Sequence, residues 1–262
     1  MHTPVTAPLL LQSPLLKCPH GFSTRNGGVS TGIFGTLNFG NPGDLLDGRD
    51  TPENIRANFK LVLDAVSAAD RQIIQVHQVH GNLVHIVKVG DIVNAESPDM
   101  KADAIVTNDP RLVVAVRIAD CAPILLESSD GTIVAAVHAG WRGAVSGVLS
   151  SAIQAMRDLG ATEIHAAIGP CIGVAAFEVG PEVLVAFDMR FGADRGITTA
   201  HASGKGNINL KRALEIELVN AGVKHVETFA NCTVNEPELF FSHRRDRGLT
   251  GRMIGFIGPR RT

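Results

Sequence analysis

Residues 112–143, LVVAVRIADCAPILLESSDGTIVAAVHAGWRG, constrain the fold of this chain more than any other stretch. One apolar run ends in Asp120-Cys121. A second, residues 124–126, reaches Ser-Ser-Asp-Gly, and a third, residues 133–137, ends in His138. Asp130-Gly131 between two apolar runs predicts a hairpin, because Asp-Gly readily takes the positive φ angles of a tight turn. With that pair as the turn, Cys121 falls opposite Gly140, and His138 is its diagonal neighbour on the same face. Diagonal Cβ atoms lie roughly 7 Å apart, within reach of a shared metal. A slip of one residue would put thiol and imidazole on opposite faces. Pro123 brings no N–H, so regular pairing is expected to start after Cys121 rather than at it.

The chain has 262 residues, enough for one large domain or two small ones. It is 45% apolar and 19% charged, with a net charge of −2. That balance argues against a nucleic-acid or membrane-surface protein. Four cysteines (Cys18, Cys121, Cys171, Cys232) are widely spaced with no C-x-x-C pair, which fits free thiols in a reducing compartment. The apolar run at residues 9–11 is too short for a signal peptide or a membrane span, so the cytoplasm is expected.

Alternating strand and helix patterns predict an α/β protein, with no repeat, low-complexity segment or linker. Thr51-Pro52-Glu53 opens a helix, with Thr as N-cap and Pro in the first turn. Residues 83–89 and 103–107 read as strands. Residues 144–159 read as one continuous helix ending at Gly160, and the glycines before it admit either an anion at its N-terminus or close packing on a sheet. Residues 164–168, 223–229 and 254–257 are further strands, and 182–187 and 210–220 further helices. HGFSTRNGG (residues 20–28) reads as a plain turn or as a loop that offers N–H groups and a guanidinium to an anion. FFSHRRDRGLTGR (residues 240–252) gathers Arg244, Arg245, Arg247 and Arg252 near two consecutive Phe.

Cys121 and His138, joined by His77 or His80, make a His₂Cys set. Three N/S ligands suit catalytic zinc, whose fourth position holds water or substrate and whose bound water reaches a pKa of roughly 7. Asp120, next to Cys121, is a candidate to orient a ligand or shuttle a proton. Without a metal, Cys121 as nucleophile and His138 as base would give a Cys-His hydrolase or deamidase. His₂Cys also suits copper, but the chain has no His-x-His pair of the multicopper kind.

HGFSTRNGGVS, QVHG, DAIVT, ADCAPILL, AAVHAGWRG, IGPCIG and FFSHRRDRGLTGRM, in that order and over nearly the whole chain, resemble the laccase-domain purine nucleoside phosphorylases, a family also described as multicopper polyphenol oxidases. The resemblance implies one domain over residues 1–262, folded as a layered α/β/β/α sandwich with mixed, largely antiparallel sheets. It implies His80, Cys121 and His138 as zinc ligands and a substrate pocket with Ser23, Arg25, Arg244 and Arg245; Arg142 is a further substrate-binding candidate, and Cys121, His138 and Asp120 are the catalytic candidates. The implied activities are phosphorolysis of adenosine, inosine and methylthioadenosine to base and ribose 1-phosphate derivative, and deamination of adenosine. Copper-dependent phenol oxidation, Cys-His hydrolysis and nucleoside binding without turnover are the alternatives. Phe177 and His243 stand where many members are expected to carry Tyr, which bears on substrate preference.

Overall fold

The computed structural model describes residues 7–43, 45, 47–93 and 100–261. Its first elements are β1 (Leu10–Leu11), β2 (His20–Ser23), α1 (Pro52–Ala65), β3 (Gln72–Ile74), β4 (Val84–Val87) and β5 (Ala104–Thr107). The central stretch supplies β6 (Leu112–Ile118), β7 (Ala122–Ser128), β8 (Val134–Ala139), α2 (Trp141–Ser146) and α3 (Val148–Asp158). Then follow β9 (Ile164–Ile168), β10 (Glu178–Val179), α4 (Pro181–Phe191), β11 (Thr198–Ala200) and β12 (Gly206–Ile208). Last come α5 (Leu210–Asn220), β13 (His225–Thr228) and β14 (Met253–Ile257).

β7 and β8 pair in the expected register, with Ala122 opposite Ala139 and Pro123 opposite His138. The turn explains the register. Gly131 has φ +75 and the Asp130 carboxylate accepts from the Ser128 hydroxyl and the Thr132 N–H. Pairing begins at Ala122, one residue past Cys121. The His138 N–H donates instead to the Asp103 carbonyl, which ties β8 to the start of β5.

This hairpin is the middle of a six-stranded sheet ordered β13-β9-β7-β8-β5-β4, while β6 belongs to a five-stranded sheet ordered β1-β2-β14-β6-β3. Side chains alternate across each sheet. Leu125, Val134 and Ala136 point to Val114, Val116 and Phe22 between the sheets. Ile124, Leu126 and Val137 point the other way, to Leu149, Ile153 and Met156 of α3 and Leu214 of α5. On the far side, Val62 and Leu63 of α1 pack against Val113, Ala115 and Phe256. Each such buried aliphatic or aromatic side chain contributes about 1.5–3 kcal/mol. The result is the α/β/β/α layering, with both sheets mixed and mostly antiparallel. A small antiparallel sheet, β10-β12-β11, sits beside it.

The continuous helix expected over residues 144–159 is two helices. Gly147 breaks it with φ +82, its N–H turned back to the Ala144 carbonyl, and α2 starts earlier, at Trp141. Close packing explains the glycine at 143, since a Cβ there would meet the Gly81 carbonyl at 3.2 Å. Among the described residues, no helix is long and apolar enough to cross a membrane.

Candidate metal centre and its cleft

Between β6 and β7 the chain leaves one sheet and enters the other, and the crossing places Asp120 and Cys121 at one end of the sandwich. The backbone turns there through Asp120 at φ +87, a conformation that non-glycine residues take only where the surroundings hold them. The Asp120 carboxylate accepts from the Thr233 hydroxyl and the Arg244 N–H, both at 2.6 Å.

His80, Cys121 and His138 each bring one ligand atom to within 4.8 Å of the others. His80 reaches the point from a turn held at φ +60. That turn is fixed by Asp103, whose carboxylate accepts the N–H groups of Val79, His80 and Gly81 at 3.2, 2.9 and 2.7 Å. The same carboxylate lies 2.8 Å from Nδ1 of His138. Since a carboxylate accepts, Nδ1 carries the proton and Nε2 is left to the centre. Of the two carboxylates, Asp103 contacts His138, and Asp120 instead secures the loop at Thr233 and Arg244. Gly140 leaves the room, because a Cβ there would lie 2.9 Å from Cys121 Sγ and 3.2 Å from His80 Cδ2.

Burial pushes the Cys121 thiol up, but the charge of His138 and hydrogen bonds from His138 and His80 outweigh it and bring the thiol down to about 6. Burial likewise opposes protonated His138, yet the Cys121 charge and the Asp103 hydrogen bond raise it to about 9. Asp103 itself is raised by burial, then taken below the usual carboxylate range by His138 and the Gly81 N–H. The site thus favours a thiolate ready to ligate or attack. One soft thiolate, two imidazoles and an open side toward a cleft are a donor set that fits zinc.

The cleft has a volume of about 730 Å³, within the range that holds a small ligand. Among the described residues Arg117, Arg142, Arg244 and Arg252 line it against one carboxylate, Asp120. His77 lines it too, outside the metal trio, as do Phe177 and His243. Arg142 lies over the Trp141 ring, and Arg244 donates to the carbonyls of Ala176 and Glu178.

Ser23, Arg25 and Arg245, expected at the substrate, do not line the cleft. Ser23 is buried and its hydroxyl oxygen accepts from the Ile254 N–H. Arg25 donates to the Gly35 and Pro237 carbonyls and covers the Phe241 ring. Arg245 donates to the carbonyls of Thr233 and Phe240 and pairs with Asp246. Ser23 and Arg25 tie N-terminal segments to C-terminal ones, and Arg245 braces the C-terminal loop on itself. The sequence reading missed Arg117 and Asp103 and gave Arg252 no role. A lone arginine inside the apolar run LVVAVRI was the available signal for Arg117.

The chain is a layered sandwich with a His₂Cys trio that could hold a metal ion at one end of a cleft lined by four arginines. The profile described as multi-copper polyphenol oxidoreductase laccase matches residues 19–260, and the chain belongs to that family. It is 35% identical to a Deinococcus radiodurans protein named purine nucleoside phosphorylase, over 96% of this chain and 94% of that one. It is 37% identical to purine nucleoside phosphorylase YfiH of Escherichia coli, over 90% and 91%. Among solved structures, Bacillus licheniformis YfiH superposes with a TM-score of 0.86 at 31% identity, covering 98% of both chains. Geobacillus stearothermophilus YlmD gives 0.86 at 29%, covering 99% of this chain and 98% of that one.

Proposed function

We propose that the protein is a purine nucleoside phosphorylase, taking adenosine, inosine or methylthioadenosine with inorganic phosphate and releasing free base and ribose 1-phosphate or its methylthio derivative. One observation supports this reading: Arg117 and Arg252 both line the cleft that holds the trio, and both pack beside Gly40. Burial holds both guanidiniums below the usual arginine range; for Arg252 the charge of Arg117 adds to this, and the charges of Cys121 and Asp120 offset only part of it. A phosphate dianion between the two guanidiniums restores what burial removes, each charge-assisted bond contributing about 1.5–3 kcal/mol. The family's relatives carry the same activity in their names.

In this mechanism Arg117 and Arg252 hold phosphate beneath the sugar. A phosphate oxygen bonds to C1′ as the bond from C1′ to the base nitrogen breaks, and the base leaves with that electron pair and then takes a proton. The sugar passes through an oxocarbenium-like state, which the adjacent anion stabilises. Phe177 and Trp141 offer aromatic faces to the purine. Asp120 is a positioning residue, holding Arg244 at the rim. His80, Cys121 and His138 would hold zinc, which would supply Lewis-acid chemistry suited to deamination of adenosine as a companion activity. The four free cysteines accord with a cytoplasmic location.

A second reading rests on the alignment of Asp103, His138 and Cys121, which is also the nucleophile, base and carboxylate set of a cysteine hydrolase. The deciding experiment incubates zinc-loaded protein with inosine and phosphate. The expected products are hypoxanthine and ribose 1-phosphate in equal amounts, formed only with phosphate. Free ribose in place of ribose 1-phosphate, or no base release at all, would reject phosphorolysis; amide hydrolysis by chelator-treated protein would favour the second reading.

A further inference from the structure

A second convergence of metal-binding side chains lies at the edge of the six-stranded sheet, on residues the cleft does not use. β9 and β13 run parallel with His165 opposite His225, so both imidazoles stand on one face. Their rings meet edge to face, with centroids 5.0 Å apart. Glu163 precedes His165 by two residues and shares its face, with Oε1 3.5 Å from His225 Nε2. One ligand atom from each of the three lies within 4.8 Å of the others. In the same row Glu127, opposite His165, is buried, and its carboxylate accepts the N–H groups of Lys17 and Cys18.

Three side chains that met only to satisfy one another would hydrogen bond. Glu163 Oε1 and His225 Nε2 lie at ion-pair distance, but 3.5 Å is long for a hydrogen bond, and among the described residues no hydrogen bond joins any two of the three. The buried Glu127 carboxylate adds negative charge beside them.

We propose that Glu163, His165 and His225 form a second metal site, taking a divalent transition cation such as zinc. Two imidazoles and one carboxylate provide three ligands, and the exposed side of Glu163 and His225 leaves the remaining positions to water. The cation would join β13 to β9, the strand next to it. The site is independent of the nucleoside reading, since none of its ligands lines the cleft.

The test uses the full chain, stripped with chelator and dialysed against micromolar zinc, with bound metal measured by elemental analysis. Wild type is expected to hold one zinc per chain more than a His165→Asn/His225→Asn double variant whose Cys121 is intact. Glu163→Gln, a near-isosteric surface change, is expected to weaken this binding by at least about tenfold, the lower end of what losing even an outer-shell partner costs. Should the double variant not fold, the measurement moves to Cys121→Ala, where zinc is expected to shift the imidazole NMR signals of His165 and His225. Equal zinc in wild type and double variant, unchanged affinity in Glu163→Gln, or unmoved imidazole signals would overturn the proposal.

Discussion

The two ligand trios use similar chemistry and differ in how the fold holds them. Cys121 and His138 meet across the β7–β8 hairpin, and His80 joins them from an earlier turn that Asp103 fixes. His138 is buried, its tautomer is set by Asp103, and Gly140 clears the space beside the sulfur. Glu163, His165 and His225 stand on neighbouring strands, with two of the three exposed. Ligand identity alone therefore does not make a reactive centre. Burial and an outer carboxylate raise a set of ligands into one that controls charge and orientation.

The sharpest break between the trios is Cys121→Ala. It is expected to reduce phosphorolysis to background and to remove the cleft metal, whereas His225→Asn leaves kcat/KM unchanged. Elemental analysis alongside ribose 1-phosphate assays checks both. Wild-type turnover in Cys121→Ala would end the assignment of the cleft trio.

Arginines divide the same way. Arg117→Ala or Arg252→Ala is expected to raise the KM for phosphate by about 10- to 150-fold, the equivalent of one charge-assisted hydrogen bond, with a much smaller change for nucleoside. Arg25→Ala should leave the phosphate KM alone and lower the melting temperature, because its guanidinium joins two loops. If Arg25→Ala raised the phosphate KM as much as Arg117→Ala, the division of roles would be wrong.

Asp103→Asn keeps the size of the side chain and removes its charge. Outer carboxylates of this kind are worth about 10–100-fold in metal affinity or activity. Metal competition titrations are expected to show a loss in that range. An unaltered affinity would mean that the 2.8 Å contact to His138 only holds the loop.

Much of this was legible in the chain because the signals were local. Asp130-Gly131 set the hairpin register, Thr51-Pro52 capped α1 through the Asn54 N–H, and period-two alternation gave both faces of β7. Cys121 and His138 followed from that register alone. What escaped depends on contacts between distant segments. Asp103 acts through N–H groups more than twenty residues earlier, and no spacing reveals which of two neighbouring carboxylates faces a histidine. Arginine-rich loops at the two ends of the chain looked like an anion clamp, yet carbonyls and Asp246 occupy Arg25 and Arg245. Gly147 was read as one residue of a helix because nothing in its neighbours announces a left-handed break.

His20 offers the smallest effect and completes the contrast, as a buried histidine satisfied without any metal. Its Nδ1 lies 2.8 Å from the Cys18 carbonyl and donates to it, and its Nε2 accepts the Ser13 N–H at 2.9 Å. Both bonds suit the neutral ring, since a second proton on Nε2 would face the Ser13 N–H. Burial accordingly lowers its pKa from 6.5. Above that value the ring is neutral folded and unfolded, and adds no pH dependence. As pH falls below 6.5 the unfolded chain takes up the proton first, so folding loses up to about 1.4 kcal/mol per pH unit until the folded ring also titrates. Urea midpoints taken at about pH 7 and about pH 5 are expected to drop further in wild type than in His20→Gln, the other carboxylates and histidines being common to both. Parallel pH profiles in the two proteins would show that His20 accommodates its charge, and that the Ser13 contact does not fix the neutral tautomer.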